Sequence, residues 1–222
     1  MKCLISKLLV TSNTSNMFGT KILEERKSKF NGELKVVRAL GLGTYIQAGN
    51  LTQSGGIIES MWRNTLKRIN SEVLIINNCL ILGLGGGTVV KQIHKNWPEA
   101  KTTGVDIDPV IVELGKKYLK LDDSLVNIKI CDAFNFVSNY TLHPIRYDLV
   151  VVDLYVGDKF PKKFESEKFI KSLTKNKLVI FNRLYYKDKK IEAENFGIKL
   201  KKVFKNVEEF TPLVNLMYIC YN

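Results

Sequence analysis

From about residue 73 onward, short apolar runs alternate with stretches of helical periodicity. The runs at residues 80–82, 102–105, 126–130, 149–152 and 178–181 are apolar at consecutive positions, as in strands buried on both faces. Between and after them, residues 87–96, 109–120, 133–139, 164–174 and 190–204 carry helical spacing. Strand–helix alternation of this kind predicts a mostly parallel sheet covered on both sides. The tail differs: "NVEEFTP" and "NLMYICYN" are β-like with no helix between them, so the last strand is predicted to return antiparallel. Before residue 73 the pattern is also different. "TKILEERKSKF", "ELKVVRAL" and "TYIQAG" are separated by Asn31-Gly32 and by Gly41-Leu42-Gly43, which predicts a small antiparallel β unit. "SGGIIESMWRNTLKRI" follows, with Ile58, Met61, Trp62, Leu66 and Ile69 on one helical face. The expected organisation is an N-terminal extension over 1–19, a β unit with its linking helix over 20–70, and an α/β domain over 71–222.

Composition changes this picture little. The 222 residues are 45% hydrophobic and 25% charged, as in ordinary globular chains, and no apolar run reaches the roughly 20 residues of a membrane helix. "MKCLISKLLVTSNTSN" has an apolar patch broken by Lys7 and lacks a small-residue cleavage site, so it does not read as a secretory signal. Cys3, Cys79, Cys131 and Cys220 are far apart and have no neighbouring His cluster. They read as reduced thiols in a cytoplasmic protein without a metal site. His94 and His143 stand apart from each other, and Trp62, Trp97 and Tyr118 read as packing residues.

Charge adds one question. The net charge is +12, and residues 159–205 hold 15 cations against 5 anions. Such a face attracts polyanions. However, 28 of the 34 cations are Lys and 6 are Arg, the residue better suited to bidentate phosphate and base contacts. A nucleic-acid partner is therefore allowed but not favoured.

The candidate chemistry lies at the ends of the predicted strands. "LILGLGGGTVV" is strand, glycine turn and helix start, with Gly83, Gly85, Gly86 and Gly87 permitting close approach to a ligand. The next strand, "TTGVDID", ends in Asp106, placed to accept hydrogen bonds from two ribose hydroxyls, with Ile107 beside it. Asp108-Pro109 reads as a helix cap followed by proline at the first helical position. The third strand ends "NIKICDAFNFV", where Asp132 can read an adenine amino group with Ala133 and Phe134 against the ring. The fourth, "YDLVVVDLYVGDKFP", stops at Asp153. Ligands of open α/β sheets bind outside the carboxyl ends of the strands, and these groups fall there together. No second phosphate loop and no Walker-type Lys is present, which favours a nucleoside without phosphates over NAD or ATP.

In this order and spacing, "KILEERKSKFNGELKVVRALGLGTYIQAGNLTQ", "LILGLGGGT", "GVDIDPVIVELGKKY", "ICDAFNFV" and "YDLVVVDLY" resemble the spermidine synthase (polyamine aminopropyltransferase) family over residues 21–222. The resemblance implies a Rossmann-like, methyltransferase-type fold. Its mostly parallel sheet would close in an antiparallel C-terminal hairpin, preceded by the small β unit. It implies adenosylmethionine or decarboxylated adenosylmethionine as co-substrate. It places Asp106 on the ribose, Asp132 and Ala133 at the adenine, Gln53 on the substrate side, and Asp153 as the first acid of an Asp-x-x-Asp loop. It also implies a small-molecule acceptor, an amine being one candidate, and a homodimer through the β unit.

The sequence also departs from that family. The glycine loop carries no acid, the second Asp of Asp-x-x-Asp falls on Val156, the Tyr of a Tyr-Gln-Glu-Met segment falls on Ile57, and a Gln falls on Asn31. The main expectation is a transferase moving a methyl or aminopropyl group, with Asp153, Tyr155 and Asp158 as candidate catalytic residues. The alternatives are a non-catalytic nucleoside-binding or scaffolding homologue, and a Lys-rich nucleic-acid methyltransferase.

Overall fold

The structure, a computed structural model, describes residues 19–69, 75–140 and 146–222. Cys3, His143 and nearly all of the expected N-terminal extension lie outside the described residues. The first unit is a four-stranded antiparallel sheet in sequential order: β1 (Thr20–Ser28), β2 (Gly32–Ala39), β3 (Gly43–Ala48) and β4 (Leu51–Gly55). Helix α1 (Ile57–Ile69) leaves it and buries Ile58, Met61, Trp62 and Leu66, the face its periodicity predicts.

The second unit is a seven-stranded sheet. Its strands are β5 (Asn78–Leu82), β6 (Lys101–Asp106), β7 (Val126–Ile130), β8 (Leu149–Val152), β9 (Leu178–Leu184), β10 (Asn206–Phe210) and β11 (Asn215–Tyr221). They lie in the order β10-β11-β9-β8-β5-β6-β7. All pairings from β9 to β7 are parallel, while β11 is antiparallel to both of its neighbours. The connecting helices are α2 (Thr88–Asn96), α3 (Pro109–Tyr118), α4 (Ala133–Tyr140), α5 (Glu167–Leu173) and α6 (Lys189–Lys201). The helix predicted over 164–174 is in fact two pieces. A 3-10 turn, Lys162–Glu165, precedes α5, because Ser166 is extended and caps α5 by accepting from the Phe169 amide.

Strand alternation builds two cores, one on each face of the sheet. Cys79 and Ile81, Leu149 and Val151, and Ile180 point with α1, α2, α3 and the first sheet. Leu80 and Leu82, Val150 and Val152, and Val179 and Phe181 point to a second core filled by Phe160, Phe169, Phe196 and Phe204. This is why the central strands read as unbroken apolar runs.

Register then fixes the site. Leu82 pairs with both Val105 and Val152, and Val152 pairs with Phe181. The next residues on these four adjacent strands, Gly83, Asp106, Asp153 and Asn182, therefore emerge at one level. The β unit is tied to the same edge through buried Asp108. That carboxylate caps α3 by accepting from the Val110 amide at 3.0 Å, and also accepts from Ser28 Oγ at 2.5 Å and Asn31 Nδ2 at 2.6 Å. Asp108→Ala removes the cap and strands two donors at the seam. A loss of about 3 kcal/mol in urea unfolding is expected.

Candidate active site

A cavity opens at the carboxyl edge of β5, β6, β7 and β8. It is roofed by the β1–β2 turn, β4 and α1, and walled by the segment after β8. Of the residues singled out in the sequence, Gln53, Gly83, Gly85, Asp106, Ile107, Asp132, Ala133, Asp153 and Tyr155 line it.

The glycine turn is a closed hydrogen-bonding unit. The amides of Gly83 and Leu84 both donate to Val105 O, at 2.9 and 3.0 Å, and Gly87 donates to Leu84 O at 3.0 Å. Gly85 N–H donates to Asp106 Oδ2 at 2.7 Å and Gly86 N–H to Ser54 Oγ at 2.8 Å. Gly83 sits at φ 92°, and a side chain there would overlap the carbonyl oxygen of Asp153. Gly86 and Gly87, expected to touch the ligand, do not line the cavity. They face Leu119 and Leu121 instead, because the turn folds back on the end of α3.

Asp106 accepts from Gly85 on one oxygen and from the Asp108 amide on the other, at 2.9 Å. Burial lifts its pKa to about 6 against those bonds. Asp132 starts α4, where its Oδ1 accepts from the amides of Phe134 and Asn135 at 2.9 and 3.2 Å. Its Oδ2 is held by the ammonium of Lys163. Burial works to raise its pKa, but the Lys163 and backbone bonds outweigh it and the carboxyl is lowered.

Asp153 is held from two sides. Oδ1 accepts from Asn182 Nδ2 at 2.8 Å and Oδ2 from the Trp62 indole at 3.2 Å. Asn182 is fixed in turn by Asn215, which donates to its Oδ1 at 2.8 Å. Burial raises Asp153 to about 6; the two hydrogen bonds oppose this and the nearby Asp106 charge adds to it. Tyr155 lines the cavity with its ring, but its hydroxyl is committed. It accepts the Leu184 amide at 2.7 Å and donates to Asn182 O at 3.3 Å, and burial pushes it above the ordinary phenol range. It anchors the loop to β9 and is not poised to take a proton. Asp158 does not reach the cavity. The Val156–Lys159 turn, with Gly157 at φ 60°, aims it outward to Lys189 at 3.6 Å. Gln53 closes the wall by donating from Nε2 to Gly157 O at 3.2 Å.

Trp62, Lys163, Asn182 and Asn215 escaped the sequence reading. Trp62 read as core, and it is fully buried, yet its indole N–H faces the site. Asn182 had a signal: it is the first polar residue after the apolar run of β9, level with Asp153. The Lys-rich segment is less free than its charge implies. Lys162, Lys163, Lys171, Arg183, Lys189, Lys199 and Lys201 all stand in ion pairs. Arg183 is buried, holds Glu165 at 3.0 Å, and lies between the rings of Phe160 and Phe196. No group of acids, His and Cys that could hold a metal occurs among the described residues.

Strand order, the antiparallel closing hairpin and the acids at the strand ends define an α/β protein of the methyltransferase-like class. More narrowly, the chain belongs to the spermine/spermidine synthase family, whose domain matches residues 70–216. It is 24% identical over 212 residues to spermine synthase SPE4 of Saccharomyces cerevisiae, covering 84% of this chain and 67% of that one. It is 30% identical over 138 residues to the eEF1A lysine and N-terminal methyltransferase homolog of Drosophila melanogaster, covering 58% of this chain but only 20% of that protein. Among solved structures it resembles a probable spermidine synthase from Corynebacterium glutamicum, with TM-score 0.72 and 16% identity over 93% of this chain and 80% of that one. It also resembles a spermidine synthase in complex with the transition-state analogue AdoDATO, with TM-score 0.68 and 16% identity over 90% of this chain and 72% of that one. At these identities the two structures establish the fold alone.

Asp106 and Asp153 both titrate above the ordinary carboxyl value, so the folded state binds their protons more tightly than the unfolded chain does. Their contribution to stability therefore rises as pH falls from 7 through 6 toward 5. Carboxyl NMR titration of the ligand-free protein should show two groups with midpoints near 6, and Asp153→Ala should remove one.

Proposed function

We propose that the protein is a transferase for adenosylmethionine or its decarboxylated form, passing a methyl or aminopropyl group to a nucleophile at Asp153. The observation that carries this reading is the glycine turn. From Gly83 to Gly87 its amides are spent on protein acceptors, so the turn offers backbone contact to a ligand but no N–H cradle for a phosphate. A nucleoside without phosphates, with its ribose at Asp106 and its base at Asp132 and Ala133, matches that chemistry. Family membership supports the same class of donor.

In this reading Asp106 accepts from the ribose hydroxyls using lone pairs beyond those given to Gly85 and Asp108. Asp132 accepts from the adenine amino group when Lys163 yields. The donor's sulfonium supplies an already activated carbon, so positioning provides much of the rate. Trp62 and Asn182 hold Asp153 in one rotamer, and the carboxylate orients the nucleophile and takes its proton. A pKa near 6 leaves Asp153 mostly ionised at pH 7 and able to accept. No described helix is long and apolar enough to cross a membrane. The thiols of Cys79, Cys131 and Cys220 are free, which supports a place in the cytoplasm. We extend the proposal to a homodimer through the β unit, where β1 and β4 are the outer strands.

Calorimetry with adenosylmethionine, decarboxylated adenosylmethionine and methylthioadenosine tests the nucleoside site. At least one should bind in the micromolar range, and Asp106→Ala should weaken it roughly 100-fold, the equivalent of about 2.7 kcal/mol. Failure of all three to bind, or unchanged affinity in the variant, refutes the reading. Loss of Asp153 should leave nucleoside affinity within a few-fold and lower turnover by about a hundredfold or more.

A further inference from the structure

The acids around the cavity are unequal, and their inequality bears on the acceptor. Among the described lining residues the carboxylates are Asp106, Asp132 and Asp153. Asp106 is turned to the glycine turn and its own helix start. Asp132 carries the ammonium of Lys163. Two acids next to the cavity are also neutralised by lysines of this chain: Asp158 by Lys189, and Glu59, which follows the lining residue Ile58, by Lys91 and Lys95. Asp106 and Asp153 hold no cation, and on the transferase reading the ribose takes Asp106, which leaves Asp153 for the acceptor. Each of its oxygens accepts one neutral hydrogen bond, which leaves lone pairs for an incoming donor. The rest of the lining offers no free negative charge: apolar Leu51, Ile58, Leu154, Val156 and Leu184 stand beside neutral polar groups such as Gln53 and Asn182.

We propose that the acceptor is an amine with a single charged nitrogen on an apolar body, and not a di- or triamine. The inference rests on the transferase reading of the site. One ammonium pairs with Asp153, and the hydrocarbon that carries it packs on the apolar lining. A second ammonium a few carbons away meets uncharged lining, Asp132 with its own lysine, or Asp106, which the ribose occupies on this reading, and a desolvated charge without a partner is costly. The chemical step balances with the donor alone. Asp153 takes one proton from the bound ammonium, and the freed nitrogen lone pair attacks the carbon on sulfur. The new N–C bond forms as the C–S bond breaks, the C–S electron pair stays on sulfur as a neutral thioether, and the product nitrogen is again a cation. Asp153 then passes its proton to water.

The test is a matched pair, butylamine and 1,4-diaminobutane, titrated calorimetrically into the protein with and without saturating methylthioadenosine. Butylamine should bind at least tenfold tighter than the diamine. Val156→Asp, which adds a carboxylate to the apolar wall, should raise the diamine's relative affinity at least tenfold. Asp153→Asn, checked for folding by circular dichroism, should abolish butylamine binding, an effect that simple partitioning into an apolar pocket would not produce. A diamine that binds the unmodified protein as tightly as butylamine or tighter overturns the proposal. So does an absence of butylamine binding to the methylthioadenosine complex. If methylthioadenosine itself does not bind, the transferase reading fails, and the amine ratio on the free protein then decides only whether the cavity prefers one ammonium to two.

Discussion

The constraint on which the site depends is backbone contact without intervening side chains at the turn after β5. Gly83 lies against the Asp153 carbonyl, and a Cβ on Gly115 of α3 would come within 2.5 Å of Gly86 Cα. These two contacts let three elements meet at one point: the ends of β5 and β8, and the middle of α3. Any side chain at either position separates them, since the neighbour in each case is main chain and cannot rotate away. The hydrogen bonds of the turn then follow. With its amides turned to Val105, Asp106 and Ser54, the turn links the parallel sheet, the acid at the end of β6 and the β unit in a single network.

That compactness shapes the electrostatics. Two carboxylates, Asp106 and Asp153, are packed into one poorly hydrated edge, and the Asp106 charge adds to the cost of charging Asp153. The protein tolerates this with neutral donors: backbone amides at Asp106, an indole and a carboxamide at Asp153. Around the cavity it pairs Asp132, Asp158 and Glu59 with lysines. The result is a basic protein whose cavity edge keeps two acids, at the ends of β6 and β8, without a cation.

Most of the architecture was legible in the sequence, for physical reasons. Central strands buried on both faces must be apolar at consecutive positions, and 149–152 and 178–181 announced β8 and β9 in that way. Asn31-Gly32 marked the first hairpin, and Asp108-Pro109 marked the start of α3. The acids at the strand ends were legible because a parallel sheet collects them at one edge. What was not legible depended on register and rotamer. Nothing local says that Asn182 is level with Asp153 until β8 and β9 are paired. A tryptophan in an apolar helix face reads as core unless its N–H can be followed. Asp158 looked like a second acid because spacing alone does not show that the Val156–Lys159 turn aims it outward. Gly86 and Gly87 looked like ligand contacts because a glycine that admits a helix and one that admits a ligand are the same letter.

The pair between Lys163 and Asp132 carries one more consequence. Lys163 is half exposed, while Asp132 has its inner oxygen fixed by the start of α4. On the proposed reading, a base amino group reaches Asp132 only by exchanging with that ammonium, so the empty site competes with its own ligand. Dissolved ions screen the partly exposed pair more than they weaken a neutral amino contact inside the cavity. Raising the ionic strength therefore loosens the competitor first. Nucleoside capture at this edge would tighten with salt even for an uncharged nucleoside, which a +12 protein neither attracts nor repels as a whole.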